Sequence, residues 1–362
     1  MAGMHIRFVG EADDGISVSS HHARALAQSG VTVSFDTGSA SGAESGPRAN
    51  VIHLVTFEQR SNALLRRLVA ARMGGAAIVR YWAGRDVLWA KYHEPTQDFA
   101  RSLVQLGAVQ ACRTAALAEE LAECAVAATS IPVVSANLSS VVQPRAMPSA
   151  FTVLCYLPRE RQGFHGGAIV EALVRRLPAM RFLILGETGE KFAGLRNVES
   201  LGAIEDSTRA IQRATVVIDA RLDGALSRLM LEAMCHGRHV VSGYPLPHGR
   251  LARTVDEFAA ALRSLRREAA FNLAGREYVC CEHDQHEAVR SLRRILDEAV
   301  EPGRFNLAFA GGVRGAAAMW RNPHLLGQRC FPLPNGETLP PEAGPLRALL
   351  RDASDAIEAV SA

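Results

Sequence analysis

Lysine is almost absent: Lys91 and Lys191 are the only two among 40 basic residues, so arginine carries nearly all of the positive charge and no arginine stands out by type alone. Aromatic residues make up 6% of the 362 and the net charge is only +3, which argues against a nucleic-acid partner. No apolar run reaches the about 20 residues that cross a bilayer, and the opening strand follows no signal-peptide core, so the cytoplasm is the expected compartment. The seven cysteines (Cys112, Cys124, Cys155, Cys235, Cys280, Cys281 and Cys330) are odd in number, scattered and without a CxxC pair. That excludes a disulfide framework and a zinc ribbon, and the thiols read as reduced core residues. No Gly-x-Gly-x-x-Gly stands after either first strand, which counts against a dinucleotide-dependent oxidoreductase.

What is present is an ordinary globular composition, 48% hydrophobic and 21% charged, over a length that suits two domains better than one. Strands are expected at His5–Gly10, Val31–Phe35, Val51–Val55 and Ala76–Arg80, with helices near Ser19–Ser29 and Asn62–Ala70. Gly30 stands where a helix C-cap turns into a strand. The Pro144 and Pro148 region, Ser139–Ser149, breaks the pattern and reads as a linker. A second series follows, with strands at Phe151–Tyr156, Arg181–Leu185, Thr215–Asp219 and His239–Ser242. The expected fold class is α/β, two Rossmann-like domains facing a cleft: residues 1–145, residues 146–300, and a proline-rich tail, 301–362, ending in a helix at Leu346–Val360.

The most informative segment runs from Asp219 to Ser242: a strand, a loop with Gly224, a helix carrying Leu231-Glu232-Ala233-Met234, a stop at Gly237 and the strand His239-Val240-Val241-Ser242. It resembles the retaining GT-B glycosyltransferases of the family-4 type. The resemblance implies that Glu232 binds the ribose hydroxyls of a nucleotide-sugar, and that Gly224 and Ser227 lie in the loop offering backbone N–H groups to phosphate. The competing reading of Glu232 is a solvated helix residue. The segment Leu154–Gly166 resembles the part of the family that places an arginine and a lysine on the diphosphate. Arg159 and Arg161 are the arginine candidates, since a guanidinium fork matches phosphate oxygens, and His165 stands near the lysine position. Surface charge is the alternative for both arginines.

In the first domain, Gly15 and Ser17 occupy the loop that the resemblance puts beside the donor phosphates, and the adjacent His21 and His22 read as surface or half-buried. Where the family commonly has a histidine before Gly-x-Asp, this chain has Tyr81, followed by Gly84 and Asp86. Tyr81 and Asp86 are therefore the candidate catalytic positions, Asp86 as an acceptor-binding or a structural carboxylate. The helix from Asn62 carries Arg66, Arg67 and Arg72, with Arg60 just before it; this is either a solvated face or a peripheral contact with anionic lipid. The resemblance implies sugar transfer from a nucleotide-sugar to a glycan or lipid-linked hydroxyl acceptor in glycan or polysaccharide synthesis, with retention, no cofactor and no metal. The altered positions Tyr81, His165 and Gly224, which stands where the family has a loop glutamate, motivate the alternative, a degenerate GT-B protein that binds a nucleotide-sugar or a partner without turnover.

Overall fold

The computed structural model describes residues 4–9, 17–36, 49–55, 62–92, 94–135, 138, 146–158, 162–186, 190–202, 207–221, 226–268, 270–300, 331–332 and 338–339. Among these, contacts separate two compact units: residues up to Ser135 together with Gln285–Val300, and residues from Leu138 to Asp284.

The first unit runs β1 (His5–Val9), α1 (Val18–Gln28), β2 (Thr32–Asp36), β3 (Val51–Val55), α2 (Asn62–Met73), β4 (Ala77–Trp82), α3 (Arg85–Tyr92), α4 (Glu94–Gln105), β5 (Val109–Cys112), α5 (Ala115–Glu123) and β6 (Thr129–Ser130). The second runs β7 (Thr152–Tyr156), α6 (Gly167–Arg176), β8 (Arg181–Leu185), β9 (Val198–Gly202), α7 (Thr208–Gln212), β10 (Val216–Asp219), α8 (Arg228–Cys235), β11 (His239–Ser242), β12 (Arg250–Leu251), α9 (Val255–Leu265) and α10 (Leu273–Glu282). Each unit holds one six-stranded parallel sheet, ordered β2-β1-β3-β4-β5-β6 and β12-β11-β10-β7-β8-β9. Parallel strands joined by helical crossovers are covered on both faces, which is why β3 and β4 are buried at every position instead of alternating. In the second sheet the strand order reverses between β7 and β10, and a sheet of this kind takes ligands in the crevice beyond the carboxyl ends of the strands at that point.

Local signals set the element ends. Ser17 caps α1 by accepting from the Ser20 amide at 3.1 Å, and Gly30 beyond its end adopts φ +82°, a left-handed conformation that favours glycine. Thr254-Val-Asp-Glu257 forms a reciprocal capping box at the start of α9.

The last helix described, α11 (Gln285–Val300), departs from the expected division, in which the second domain ran on to residue 300. Its buried residues Ala288, Leu292, Ile295, Leu296 and Ala299 recur every three or four positions and join the core formed by Ile6, Phe8, Val79 and Tyr81 in the first unit. Gln285 pins its start, accepting from the Ser135 amide at 2.6 Å and donating to the Val133 carbonyl at 3.2 Å. Burial of Leu292, Ile295 and Leu296 contributes about 1.5–3 kcal/mol each, and that stripe decides where the helix belongs.

Two other expectations need correction. Cys112, Cys124, Cys155 and Cys235 are buried thiols, but Cys280 and Cys281 are exposed on α10; Cys330 lies outside the described residues. On α2, Arg72 is buried and does not belong to the basic face, whereas Arg67 is exposed and pairs with Asp36. Arg60 and the side chain of Arg66 lie outside the described residues. No helix among the described residues is long and apolar enough to cross a membrane. In the tail, Phe331–Pro332 pairs antiparallel with Thr338–Leu339, and the helix expected at Leu346–Val360 lies outside the described residues.

One buried arginine braces the second unit. Arg238, fully buried just after Gly237, donates from Nε to the Ile211 carbonyl (3.3 Å) and from Nη2 to Gln212 (3.3 Å) and Ala146 (3.1 Å). Ile211 and Gln212 end α7, where a cation suits both the orphan carbonyls and the helix dipole. Arg238→Met keeps the bulk but removes every donor. We expect a loss of about 2 kcal/mol, seen as a lower thermal midpoint, and an unchanged midpoint would contradict this role.

Candidate nucleotide-binding site

The β7–α6 and β10–α8 loops meet at the point where the second sheet reverses. Gly166, at φ +70°, precedes α6, and an ideal Cβ placed on it would stand 2.3 Å from the carbonyl oxygen of Ala220, just past β10. Only glycine lets the two loops approach this closely. Gly166 gives α6 no side-chain cap, so the positive end of the helix dipole faces the carboxyl edge of the sheet. His165, directly before it, is half-buried and meets Tyr156 edge-on, with ring centroids 5.1 Å apart. Arg159 and Arg161 lie outside the described residues, as do Gly15 and Gly224.

On the β10 side, Asp219 ends the strand and holds Arg221: the Arg221 amide donates to Oδ1 at 3.1 Å and Nε to both carboxylate oxygens at 2.9 Å. Sequence reasoning missed this pair, although an acid at a strand end with an arginine two residues on is a visible signal. Ser227 then precedes α8 with extended backbone and no side-chain cap bond, while its carbonyl accepts from Met230 and Leu231.

Glu232, on the second turn of α8, is 3% exposed, which rules out the solvated reading. A buried carboxylate must be paired, and this one is. Ser207, just before α7, donates from Oγ to Oε2 at 2.5 Å, and Arg228, one helical turn earlier on α8, places Nε 3.2 Å from Oε1. The i to i+4 spacing of Arg228 and Glu232 was legible; the contact with Ser207, 25 residues away, was not.

The first-unit candidates have different surroundings. Ser17 is occupied as the N-cap of α1. Tyr81, on β4, is 1% exposed, and burial raises its phenol pKa, so proton transfer near neutrality is unfavourable there. Its neighbour is His22, edge-on at 4.6 Å, itself beside His53. His21 and His22 are thus buried, contrary to the surface or half-buried placement expected for them, because α1 lays that face on the sheet. Asp86 is also buried: it accepts from Arg80 Nη2 at 2.7 Å and from the amides of Ala83 (3.1 Å) and Gly84 (2.9 Å), holding the turn into α3. Asp86→Ala would leave the Arg80 charge buried without this partner. We expect about 3 kcal/mol of destabilisation, measurable by urea unfolding. A variant as stable as the parent would show that the pair carries no such weight. Among the described residues, no cluster of three or more His, Cys, Asp or Glu side chains is arranged to hold a metal ion.

No protein-family model matches the chain, and no curated protein matches its sequence. Solved structures do. A glycosyltransferase from Rickettsia africae superposes with a TM-score of 0.65 at 12% identity, covering 83% of this chain and 100% of that one. Sucrose-phosphate synthase from Thermosynechococcus elongatus gives 0.63 at 14% identity, covering 82% and 98%. HepE of Anabaena, solved with UDP-glucose, gives 0.60 at 14% identity, covering 82% and 100%. The fold is GT-B. At this level of identity the likeness establishes the GT-B architecture and leaves the chemistry to be argued from the site.

Proposed function

We propose that this chain is a glycosyltransferase that moves a sugar from a nucleotide-sugar donor to a hydroxyl acceptor, with retention at the anomeric carbon. The observation that carries the proposal is Glu232, the residue to which the resemblance gives the ribose: it lies on α8, which follows β10 at the β7/β10 reversal of a GT-B sheet, and is held by a hydroxyl and a guanidinium. HepE, one of the similar structures, was solved with UDP and with UDP-glucose, which supports a nucleotide-sugar as the donor class.

In this reading catalysis consists of positioning and of stabilising the departing diphosphate. Glu232 fixes the ribose. The amides at the starts of α6 and α8, with Ser227 and Gly224 in the second loop and His165, Arg159 and Arg161 in the first, hold the phosphates. His165, near the family's lysine position, adds full charge only when protonated. The first unit takes the acceptor, a glycan or lipid-linked hydroxyl, in glycan or polysaccharide synthesis. The environment of Tyr81 and Asp86 fits support of that unit better than proton transfer.

Hydrolysis of UDP-, GDP- and ADP-sugars by the purified chain, run beside a thermal-shift panel that includes NAD and NADP, tests the proposal. Turnover and stabilisation with one class of nucleotide-sugar are expected. Stabilisation without any turnover, even with glycan acceptors supplied, would favour a binding protein of the same fold, and stabilisation by NAD or NADP alone would overturn both.

A further inference from the structure

The N-cap position of a helix is where a serine hydroxyl normally accepts from the first turn of backbone amides, worth about 1 kcal/mol. Ser17, Thr114, Thr254 and Asn272 all do this in the present fold. Ser227 and Ser207 do not, and Ser207 precedes α7 with helical backbone, φ −68° and ψ −15°, and donates its hydroxyl to Glu232 Oε2. Arg228 Nε stands 3.2 Å from Oε1 as an ion pair, so each oxygen of the carboxylate has a protein partner. A carboxylate offers about four acceptor positions, so it can serve protein donors and ligand hydroxyls together.

We infer that Ser207 is a positioning residue for the ribose: its hydroxyl holds the Glu232 carboxylate in the plane that receives the 2′- and 3′-hydroxyls of a ribonucleoside diphosphate, and so sets the preference for ribose over deoxyribose. The inference rests on the role given to Glu232 above. Ser207 touches the nucleotide only through Glu232. Geometric preorganisation of this kind acts on groups that the oriented carboxylate contacts and not on the rest of the ligand.

The test is titration calorimetry with UDP, GDP and ADP, each against its 2′,3′-dideoxy counterpart, on the full chain and on Ser207→Ala, Ser207→Thr and Glu232→Ala. The quantity read is the ratio of dideoxy to ribo Kd for the nucleotide that binds. Ser207→Ala is expected to lower that ratio several-fold while leaving the dideoxy Kd unchanged, and Ser207→Thr, which keeps the hydroxyl, to restore it. A purely packing role would shift both affinities equally or neither. If Glu232→Ala removes the ratio but Ser207→Ala does not, the inference fails and the Glu232 reading stands. If Glu232→Ala leaves the ratio intact, or no nucleotide binds, the underlying reading fails and this inference with it. Tighter ribonucleotide binding by Ser207→Ala would make Ser207 a competitor of the ribose and overturn the inference. Should Ser207→Ala not fold, Ser207→Cys, a weak donor of similar size, is read by the same ratio.

Discussion

Replacing Glu232 with alanine is expected to weaken nucleotide-sugar binding at least tenfold. Two ribose hydroxyls donating to a buried carboxylate form charge-assisted bonds of about 1.5–3 kcal/mol each, and about 1.4 kcal/mol is already a factor of ten, so loss of both bonds takes the effect toward a hundredfold and beyond. Stability should also fall, because the change leaves Ser207 and Arg228 without the carboxylate they share. We expect that cost to be about 1–2 kcal/mol, small enough for the domain to stay folded. Glu232→Gln keeps the volume and one acceptor and should be milder in both respects. Calorimetry on folded variants checks the order Glu232, then Gln, then Ala; an unchanged donor Kd in Glu232→Ala would remove the ribose assignment.

The second large effect is on acid stability of the first unit. His53, on β3, is fully buried, and its Nδ1 lies 3.4 Å from the Val79 carbonyl, which can only accept. Nδ1 therefore carries the proton, Nε2 is an acceptor, and His22 Nδ1, 3.3 Å away, must be the donor. Burial disfavours the charged form of both rings. Protonating His53 would set two donors against each other. Burial pulls its pKa from 6.5 to about 4, and burial followed by the neighbouring His53 pulls His22 well below 6.5. The folded pKa values lie below the unfolded ones, so the unfolded chain binds the protons first as pH falls, and stability rises with pH across that window. The contribution is complete above about pH 6.5 and is lost progressively toward pH 4. It amounts to about 3 kcal/mol from His53 alone, at 1.36 kcal/mol per pKa unit, with His22 adding to it. In a Trp320→Phe background, urea unfolding followed through the fluorescence of Trp82 and Trp89 should show the loss between pH 7 and pH 4.5, and His53→Gln should flatten it. His283, buried in the second unit with its pKa lowered to about 4, drives the same trend there and is separable because it is remote from those tryptophans in sequence and lies in the other unit. An identical pH profile in His53→Gln would contradict the account.

Much of the architecture was legible because parallel strands with both faces covered leave short apolar runs between glycine stops: the strands at 51–55, 181–185 and 239–242 stand as read. Helix α8 and its end at Gly237, φ +72°, were legible for the same reason, since Leu-Glu-Ala-Met followed by glycine and a Val-Val strand carries its geometry locally. Helices α3, α4 and α5 were not read out, although Pro95 near the start of α4 and Thr114 before α5 are start signals. For α11 the apolar period was visible, but periodicity states that a face will be buried and not against which sheet. The same limit governs the site. Glu232 could be chosen from its own helix, whereas Ser207 reaches it only because β9, α7 and β10 return the chain to α8. In the sequence His53 is only a polar residue inside Val-Ile-His-Leu-Val; its partner on α1 depends on the β1–β3 pairing, a tertiary fact.

The central claim, that a nucleotide-sugar binds at the reversal of the second sheet with its ribose on Glu232, is tested most directly by a crystal structure of the chain soaked with UDP, GDP or ADP. The account predicts a nucleoside diphosphate beyond the carboxyl ends of β7 and β10, its ribose hydroxyls within hydrogen-bond distance of the Glu232 carboxylate and its phosphates at the start of α6 or α8. A nucleotide seated elsewhere, or one at that edge with its ribose turned away from Glu232, would contradict it.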